Sequence, residues 1–304
     1  MNLYLPIAGL SVNILVIMGL GGLVGLLSGM FGVGGGFLTT PLLIFYGIPP
    51  SVAVASSAPQ IMGASVSGVF AHHQRDGVDT RMGAVLVTGG AIGSITGGFI
   101  FRALQTSGQI DMVVGILYVV LLGGIGAAMA REAIRSLAAL RRGEAIKAGA
   151  RRHLPWIAAL PLRWRFYGSG LYISPLAPLA LGFCTGILTA IMGVGGGFIL
   201  VPAMIYVLGM STRVVVGTSL FQILFVAAAT TMMHALTTHA VDIVLATLLL
   251  TGSVSGAQLG ARFAQKAKPE YLRLVLAFIV LTVALRMAIG LTWRPDEIYT
   301  VQTL

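Results

Sequence analysis

Long apolar runs dominate the pattern of hydrophobic and polar positions along this chain. No charged side chain occurs before Arg75, and the further uncharged runs are 82–101, 112–130, 174–212, 214–241 and 243–261. A helix crosses a bilayer with about 20 apolar residues, so each run can hold at least one span. Backbone amides in the hydrocarbon need internal partners, and the alternating ten-residue pattern of a membrane barrel is absent from the sequence. The pattern predicts an all-α polytopic membrane protein.

Glycine, proline and charged residues divide the apolar runs into about five helical segments in each half of the chain. The predicted segments are 12–31, 36–47, 51–73, 80–101 and 110–130, then 174–192, 197–209, 212–236, 241–262 and 270–291. The second segment of each half is short for a full crossing. These two segments are half-helices, re-entrant pieces or complete spans, and the sequence leaves the choice open.

The two halves repeat one another. The stretch MFGVGGGFLTTP at 30–41 recurs as IMGVGGGFILVP at 191–202, an offset of 161 residues. After one inserted residue the offset is 162, and it pairs Ser57 with Ser219, Gln60 with Gln222, His72 with His234, Gly90 with Gly252 and Gly98 with Gly260. Shared hydrophobicity does not explain polar residues that recur in register. We infer a first membrane repeat at 1–130, a basic loop at 131–173, and a second repeat with a short tail at 174–304.

The charged residues are few, and many lie in one cluster. Hydrophobic residues make up 57% of the chain and charged residues 9%, with a mean hydropathy of +0.94, which excludes an ordinary soluble domain. Nine of the 19 Lys and Arg residues fall in 131–165, with only Glu132 and Glu144 as acids. Positive charge accumulates in cytoplasmic loops, so the net charge of +10 indicates a cytoplasmic loop rather than a nucleic-acid-binding surface.

The number of membrane crossings in each repeat decides the relative orientation of the two repeats in the membrane. If each half crosses the membrane an odd number of times, the halves have opposite orientations. With the basic loop in the cytoplasm, sixteen Lys and Arg residues then lie inside, and three lie at the outer side: Arg102, Arg286 and Arg294. The positive-inside rule favours this arrangement. The sequence therefore predicts inverted repeats with both termini outside the cytoplasm.

The glycine clusters predict broken helices near the membrane midplane, where secondary transporters with inverted repeats build their substrate sites. Three consecutive glycines cost ~1 kcal/mol each within a helix, which exceeds what close packing requires. A break exposes backbone N–H groups at the next helix start, where the dipole adds about half a positive charge. We expect two such helix ends to converge on one anion. The candidate substrate contacts are Gly34, Gly35, Gly36, Ser57, Gln60, Gly195, Gly196, Gly197, Thr218, Ser219 and Gln222.

Several of these polar residues and glycines also have a purely structural interpretation. The hydroxyl and amide side chains also serve as interhelical hydrogen bonds, and the scattered Gly90, Gly98, Gly252 and Gly260 are best interpreted as packing positions. No Asp or Glu lies deep in an apolar run, which leaves His72 and His234 as candidates for proton handling. Interfacial positions for both histidines are the simpler interpretation. Asp79 and Asp242 flank membrane segments and are expected in water or at helix caps.

The twin G-x-G-G-G-F motifs, each followed by an S-x-x-Q pattern, resemble the sulfite exporter TauE/SafE family, also called TSUP. The resemblance covers nearly the whole chain apart from the loop and tails. It implies a bacterial-type inner-membrane carrier that exports sulfite, organosulfonates or related anions by alternating access, coupled to an ion gradient. Carried over, it points to Gly34–Gly36, Gly195–Gly197, Gln60 and Gln222. The long basic loop at 131–170 departs from the family pattern.

The sequence lacks common catalytic and metal-binding motifs. The sequence holds no H-E-x-x-H, no Cys/His cluster with metal spacing and no G-x-S-x-G, so an enzyme, a bound metal and a cofactor are not expected. An anion channel and a membrane scaffold stay open as alternatives. The expected partners are a small anion, a coupling ion (H⁺ or Na⁺) and the lipid bilayer, with a homo-oligomer left open and no nucleic acid. The anion could be sulfite, sulfate, a sulfonate or a carboxylate.

Overall fold

The computed structural model describes residues 2–31, 35–74, 77–141, 161–264 and 269–292. Within these ranges the chain forms ten helices and two antiparallel hairpins. The helices are α1 (Ile14–Phe31), α2 (Gly36–Phe45), α3 (Pro50–His73), α4 (Thr80–Thr106), α5 (Ile110–Arg141), α6 (Leu176–Met192), α7 (Gly197–Tyr206), α8 (Thr212–Thr237), α9 (Ile243–Ala264) and α10 (Pro269–Thr292). The strands are β1 (Asn2–Leu5), β2 (Leu10–Asn13), β3 (Trp164–Phe166) and β4 (Leu171–Ile173).

The helical segments predicted from the sequence are confirmed, and so is the all-α polytopic class. Five stretches in the described chain are long and apolar enough to cross a bilayer: Thr80–Thr106, Ile110–Arg135, Val214–Thr237, Ile243–Gly260 and Leu274–Thr292. Helices α2 and α7 have ten residues each. At ~1.5 Å per residue they reach about half of the ~30 Å hydrocarbon core. Helix α5 continues to Arg141, beyond the predicted end at 130, and the three-part division of the chain stays a prediction.

The largest helix pairings join one half of the chain to the other. Helix α1 packs along α9, and α6 packs along α4, so the first helix of each half lies against the fourth helix of the other. Both crossings are built from glycines whose missing side chains let backbones touch: Gly21, Gly25 and Gly29 lie against Leu249, Ser253 and Ala257, and Gly182 and Gly186 lie against Leu86 and Gly90. Small residues allow this close approach in membrane bundles.

The scattered glycines occupy packing positions, as the sequence indicated. A Cβ atom on Gly252 or Gly260 would meet the backbone of Met18 or Leu26 in α1. A Cβ on Gly98 would meet the Met233 side chain of α8. These contacts leave no room for a larger side chain, so the packing interpretation is confirmed at these glycines.

Corresponding helices of the two halves run in opposite directions where they touch. In α5 and α10, Gly115 lies beside Leu291 while Gly126 lies beside Val280, which is an antiparallel register. In α3 and α8, Gly68 lies beside Leu220. His72, further along α3, lies beside Gly217, earlier in α8. An inverted repeat requires such pairing, and the orientation of the halves in a bilayer stays a prediction.

Two hairpins, which the sequence did not predict, each dock on an aspartate. The Ile7 amide in the β1–β2 turn donates a hydrogen bond to the Asp242 carboxylate over 3.2 Å. The Ser169 amide in the β3–β4 turn donates to Asp79 over 2.8 Å. Both aspartates also accept from the first turn of the helix that follows, α4 for Asp79 and α9 for Asp242. The capping role is therefore confirmed, but both side chains are buried rather than in water.

Candidate functional site

The break between α6 and α7 is a run of left-handed glycines. Gly193, Gly195 and Gly196 have φ angles of 67°, 74° and 72°. Residues with a Cβ atom rarely adopt this region, so glycine makes the reversal possible. The segment 193–197 is buried, and α7 begins at Gly197. The break predicted from the glycine cluster is confirmed here.

The break between α1 and α2 has the same geometry at its described end. Gly35 precedes α2 with a φ of 67°, and Gly35 and Gly36 are both buried. Gly34, a predicted contact, lies outside the described residues. Gly35 lies against Ser28 of α1, and Gly196 lies against Thr189 of α6. These two pairs are related by the 161-residue offset, so each half-helix folds back onto the helix before it in the same way.

The two half-helices meet at their N-terminal ends. The rings of Phe37 in α2 and Phe198 in α7 stack with centroids 4.5 Å apart and planes 10° apart. A Cβ atom on Gly36 would lie 2.8 Å from the Val194 carbonyl oxygen and 2.9 Å from that of Gly193. The first amides of a helix have no partner within that helix, and the dipole makes this end positive. The structure thus brings two positive helix ends together, as expected.

Ser57 belongs to this meeting point. Its hydroxyl lies 3.0 Å from the Gly193 carbonyl oxygen, and it accepts a hydrogen bond from the Thr40 hydroxyl over 3.1 Å. The Tyr118 hydroxyl donates to the Met192 carbonyl over 2.6 Å, which fixes the end of α6. The sequence did not single out Thr40 or Tyr118. The repeat gave no signal for them, because at offsets of 161 and 162 their counterparts are Val201 and Val280.

Gln60 and Gln222 are buried and incompletely hydrogen-bonded. Gln60 is 2% exposed and Gln222 is 0% exposed. Within the described chain, Oε1 of Gln60 and both amide atoms of Gln222 have no hydrogen-bond partner. A buried polar group without a partner costs about 1–3 kcal/mol, so these two glutamines are unusual.

The residues that follow the two glutamines contact the breaks directly. Ile61 packs against Gly36 and Gly195, and Ile223 also lies against Gly195. The Gln222 amide nitrogen lies beside Gly90 of α4. Both glutamines are therefore placed one position before a residue that forms the wall of the paired breaks.

The other two predicted hydroxyls are engaged within the protein. The Thr218 hydroxyl accepts a hydrogen bond from the Asp79 amide over 2.9 Å. The Ser219 hydroxyl donates to the Val216 carbonyl of its own helix over 2.9 Å. Both side chains are fully buried. All three predicted hydroxyls therefore have internal partners, and Ser57 is the one of the three that touches a glycine break.

His72 and His234, which the sequence repeat aligns with each other, lie at different ends of the helix bundle. His72 is half-buried near the end of α3, beside Gly217 near the start of α8. His234 lies near the end of α8 and is 0% exposed, which corrects the interfacial interpretation for this residue. Its Nε2 atom lies 2.9 Å from the Ala190 carbonyl oxygen, and Phe101 packs edge-on against the ring. His234 is therefore linked to the end of α6 just before the second break.

Metal ligands do not gather at this site. In the ranges that the structure describes, no group of three or more His, Cys, Asp or Glu side chains could hold a metal ion. The polar groups that the structure places at the paired breaks are backbone amides and the Ser57 hydroxyl, and the two buried carboxamides lie on the neighbouring α3 and α8. Such groups bind and release a small anion without forming a covalent bond.

The spans and the paired half-helices define a multi-pass α-helical membrane protein of the transporter class. The family model described as Sulfite exporter TauE/SafE matches residues 17–287. The chain belongs to this family. The match extends over both repeats and confirms the resemblance carried by the glycine motifs.

Several relatives cover nearly the full chain. The probable membrane transporter protein YjnA of Bacillus subtilis (strain 168) is 26% identical over 288 residues, which cover 91% of this chain and 100% of its own. A probable membrane transporter protein of Xylella fastidiosa (strain 9a5c) is 27% identical, covering 93% and 96%. The probable membrane transporter protein MJ0441 of Methanocaldococcus jannaschii is 24% identical, covering 89% and 93%. No solved structure matches this chain.

Proposed function

We propose that this transporter is a secondary carrier that exports sulfite, an organosulfonate or a related small sulfur-containing anion. One observation carries the proposal: the N-terminal ends of α2 and α7 meet at the stacked rings of Phe37 and Phe198. Two helix N-termini aimed at one place favour negative charge. The family description, sulfite exporter, supports a sulfur oxyanion over a carboxylate.

The proposed contacts are the amides at Gly34–Gly36 and Gly195–Gly197 and the carboxamides of Gln60 and Gln222. Backbone N–H groups and carboxamide N–H groups are donors that suit an oxyanion. The buried amide of Gln222 has no protein partner in the described chain, which leaves its donors for a ligand. Ser57, beside the second break, is the hydroxyl best placed to join them. Ser57 and Ser219 already donate their hydroxyl protons to the carbonyls of Val54 and Val216, so each would donate to an anion only after giving up that bond. Thr218 accepts a hydrogen bond from an amide and keeps its own proton to donate.

Alternating access is the transport mode we infer. Gln60 and Gln222 are buried, which is the state expected of an occluded carrier site. The antiparallel pairing of α3 with α8 and of α5 with α10 supports an exchange of roles between the halves. A channel needs a continuous wet pore, whereas a carrier saturates and shows counterflow. Counterflow in proteoliposomes therefore separates the two mechanisms.

The inferred topology has the basic loop in the cytoplasm and both termini outside it, in a bacterial-type inner membrane. It can be tested with single cysteines in a Cys184→Ser background. Ala150→Cys in the loop should resist a membrane-impermeant maleimide in intact cells, whereas Thr303→Cys near the C-terminus should react. The reverse labelling pattern would overturn the topology. Coupling to H⁺ or Na⁺ belongs to the same proposal, with His72 and His234 as the residues to test.

The experiment that tests the substrate class is a thermal shift on the purified protein. We expect sulfite or an organosulfonate to raise the melting temperature more than sulfate or acetate does. The Gln60→Leu/Gln222→Leu variant should fold and lose this response. If no sulfur anion stabilises the protein, or if the double variant responds as the wild type does, the proposed site is wrong.

A further inference from the structure

The β3–β4 hairpin and the start of α4 line an open, cationic cavity at the protein surface. Its volume is about 610 Å³, and three arginines line it: Arg81, Arg163 and Arg165. The aromatic lining residues are Trp164, Phe166, Tyr167 and Tyr172. This cavity lies at the N-terminal end of a membrane span, away from the glycine breaks.

Two of the arginines are held by one aromatic ring. The Arg81 guanidinium carbon lies 5.1 Å from the centroid of Tyr167, and that of Arg165 lies 5.7 Å from it. Cation–π contacts of this length orient a guanidinium group. They also gather two like charges at the same ring, an arrangement that an anion would stabilise.

The hairpin that carries these side chains is firmly docked. Phe166, Leu171 and Ile173 are buried in the core beside α4. Asp79, which precedes α4, is 3% exposed and accepts hydrogen bonds from the amides of Met82 and Ser169. No acidic side chain is among the described residues that line the cavity.

The first hairpin provides an internal comparison. It docks on Asp242 as the second docks on Asp79. At the 161-residue offset, the first hairpin has Leu3, Tyr4 and Leu5 where the second has Trp164, Arg165 and Phe166. The same fold forms without arginines, so the cations are not required to build the hairpin. A positive-inside signal requires charge near a span, but it does not require guanidinium groups stacked around a cavity.

We propose that this cavity binds the phosphate of an anionic phospholipid headgroup. Guanidinium forks suit phosphate oxygens, and basic pockets at span ends bind anionic headgroups. Trp164, Tyr167 and Tyr172 are 58%, 68% and 61% exposed, as aromatic residues are where they meet the membrane interface. The apolar Ala84 and Val85 complete the wall, which favours a lipid over a free phosphate. This proposal does not depend on the transported substrate.

Native mass spectrometry of the full-length protein tests the proposal. Phosphatidylglycerol should stay bound, while phosphatidylcholine, which has no net charge, should dissociate. In Arg81→Gln/Arg163→Gln/Arg165→Gln we expect phosphatidylglycerol binding to weaken at least about a hundredfold. Each arginine contributes roughly fivefold in affinity, and the three factors multiply. The matched control Arg131→Gln/Arg135→Gln/Arg262→Gln removes the same charge elsewhere and should bind within about twofold of wild type. Equal losses in both variants would mean a diffuse charge effect and would overturn the site.

A lysine variant and soluble phosphate competitors test whether the guanidinium groups and the lipid are both required. Arg81→Lys/Arg163→Lys/Arg165→Lys keeps the net charge and removes the guanidinium forks, so it should fold and still lose about tenfold in affinity. Inorganic phosphate and glycerol phosphate, added as soluble competitors, should not displace the lipid at millimolar concentration. Displacement by either would assign the cavity to a soluble phosphate, and undiminished lipid binding by the lysine variant would remove the arginine site.

Discussion

The amide of Asp242 donates a hydrogen bond to the Ser56 hydroxyl over 2.9 Å, and this contact joins the two halves of the chain. The amide of Asp79 makes the equivalent bond to Thr218, also over 2.9 Å. Ser56 and Thr218 are 162 residues apart, the offset of the sequence repeat. Each bond ties the start of a fourth helix and its docked hairpin to the third helix of the opposite half. The repeat therefore extends to individual hydrogen bonds.

Removing either hydroxyl should destabilise the protein. Thr218→Val or Ser56→Ala leaves a buried amide without its acceptor, which costs about 1–3 kcal/mol. Thermal unfolding of the purified protein measures the loss. The control is Thr88→Val, because the Thr88 hydroxyl is exposed and bonds only its own helix. If Thr218→Val keeps full stability but loses anion binding, Thr218 is a substrate contact rather than a structural one.

Gln222→Leu should raise the stability of the substrate-free protein and abolish anion binding. The substitution removes a buried amide that has no partner in the described chain, so the melting temperature without substrate should rise, by the equivalent of about 1 kcal/mol. The stabilisation by a sulfur anion should disappear. Gln105→Leu, at a half-exposed position on α4, should change neither quantity appreciably. A loss of stability in Gln222→Leu would make this residue structural.

The left-handed glycines should not tolerate a side chain. Gly196→Leu places a Cβ atom at a φ of 72° and close to Thr189, and Gly35→Leu does the same at a φ of 67° beside Ser28. The backbone strain alone costs about 1–2 kcal/mol. We expect both variants to insert and to lose transport in a proteoliposome flux assay. Gly124→Leu is the control, since a Cβ there meets open space. Wild-type flux in both break variants would refute the broken-helix site.

Tyr118→Phe should loosen the second break. It removes the hydrogen bond to the Met192 carbonyl, in a fully buried position, and should cost about 1 kcal/mol of stability. Transport should fall with it, because Met192 ends the helix that leads into Gly193. Tyr206→Phe makes the same chemical change at an exposed bond to Glu132 and should cost less. Equal effects on unfolding temperature and flux would remove the special role of Tyr118.

Much of the fold could be predicted because it follows from local properties of the chain. Apolar runs of bilayer length predicted the helices, and glycine clusters within them predicted the breaks at Gly35 and Gly193–Gly196. The hairpins were missed, because strands of three or four residues leave no periodic pattern. The burial of His234 was missed as well, since the polarity of a side chain does not reveal whether a neighbouring helix covers it.

The sequence by itself determined the membrane class, the helical segments, the repeat and the positions of both helix breaks, because hydrophobicity and backbone freedom act over a few neighbouring residues. Only the tertiary structure decided which distant groups meet. The stack of Phe37 on Phe198, the contact of Ser57 with Gly193 and the bond from Tyr118 to Met192 join residues far apart in the chain. These contacts depend on how whole helices cross, and a helix crossing is set by packing across both halves at once.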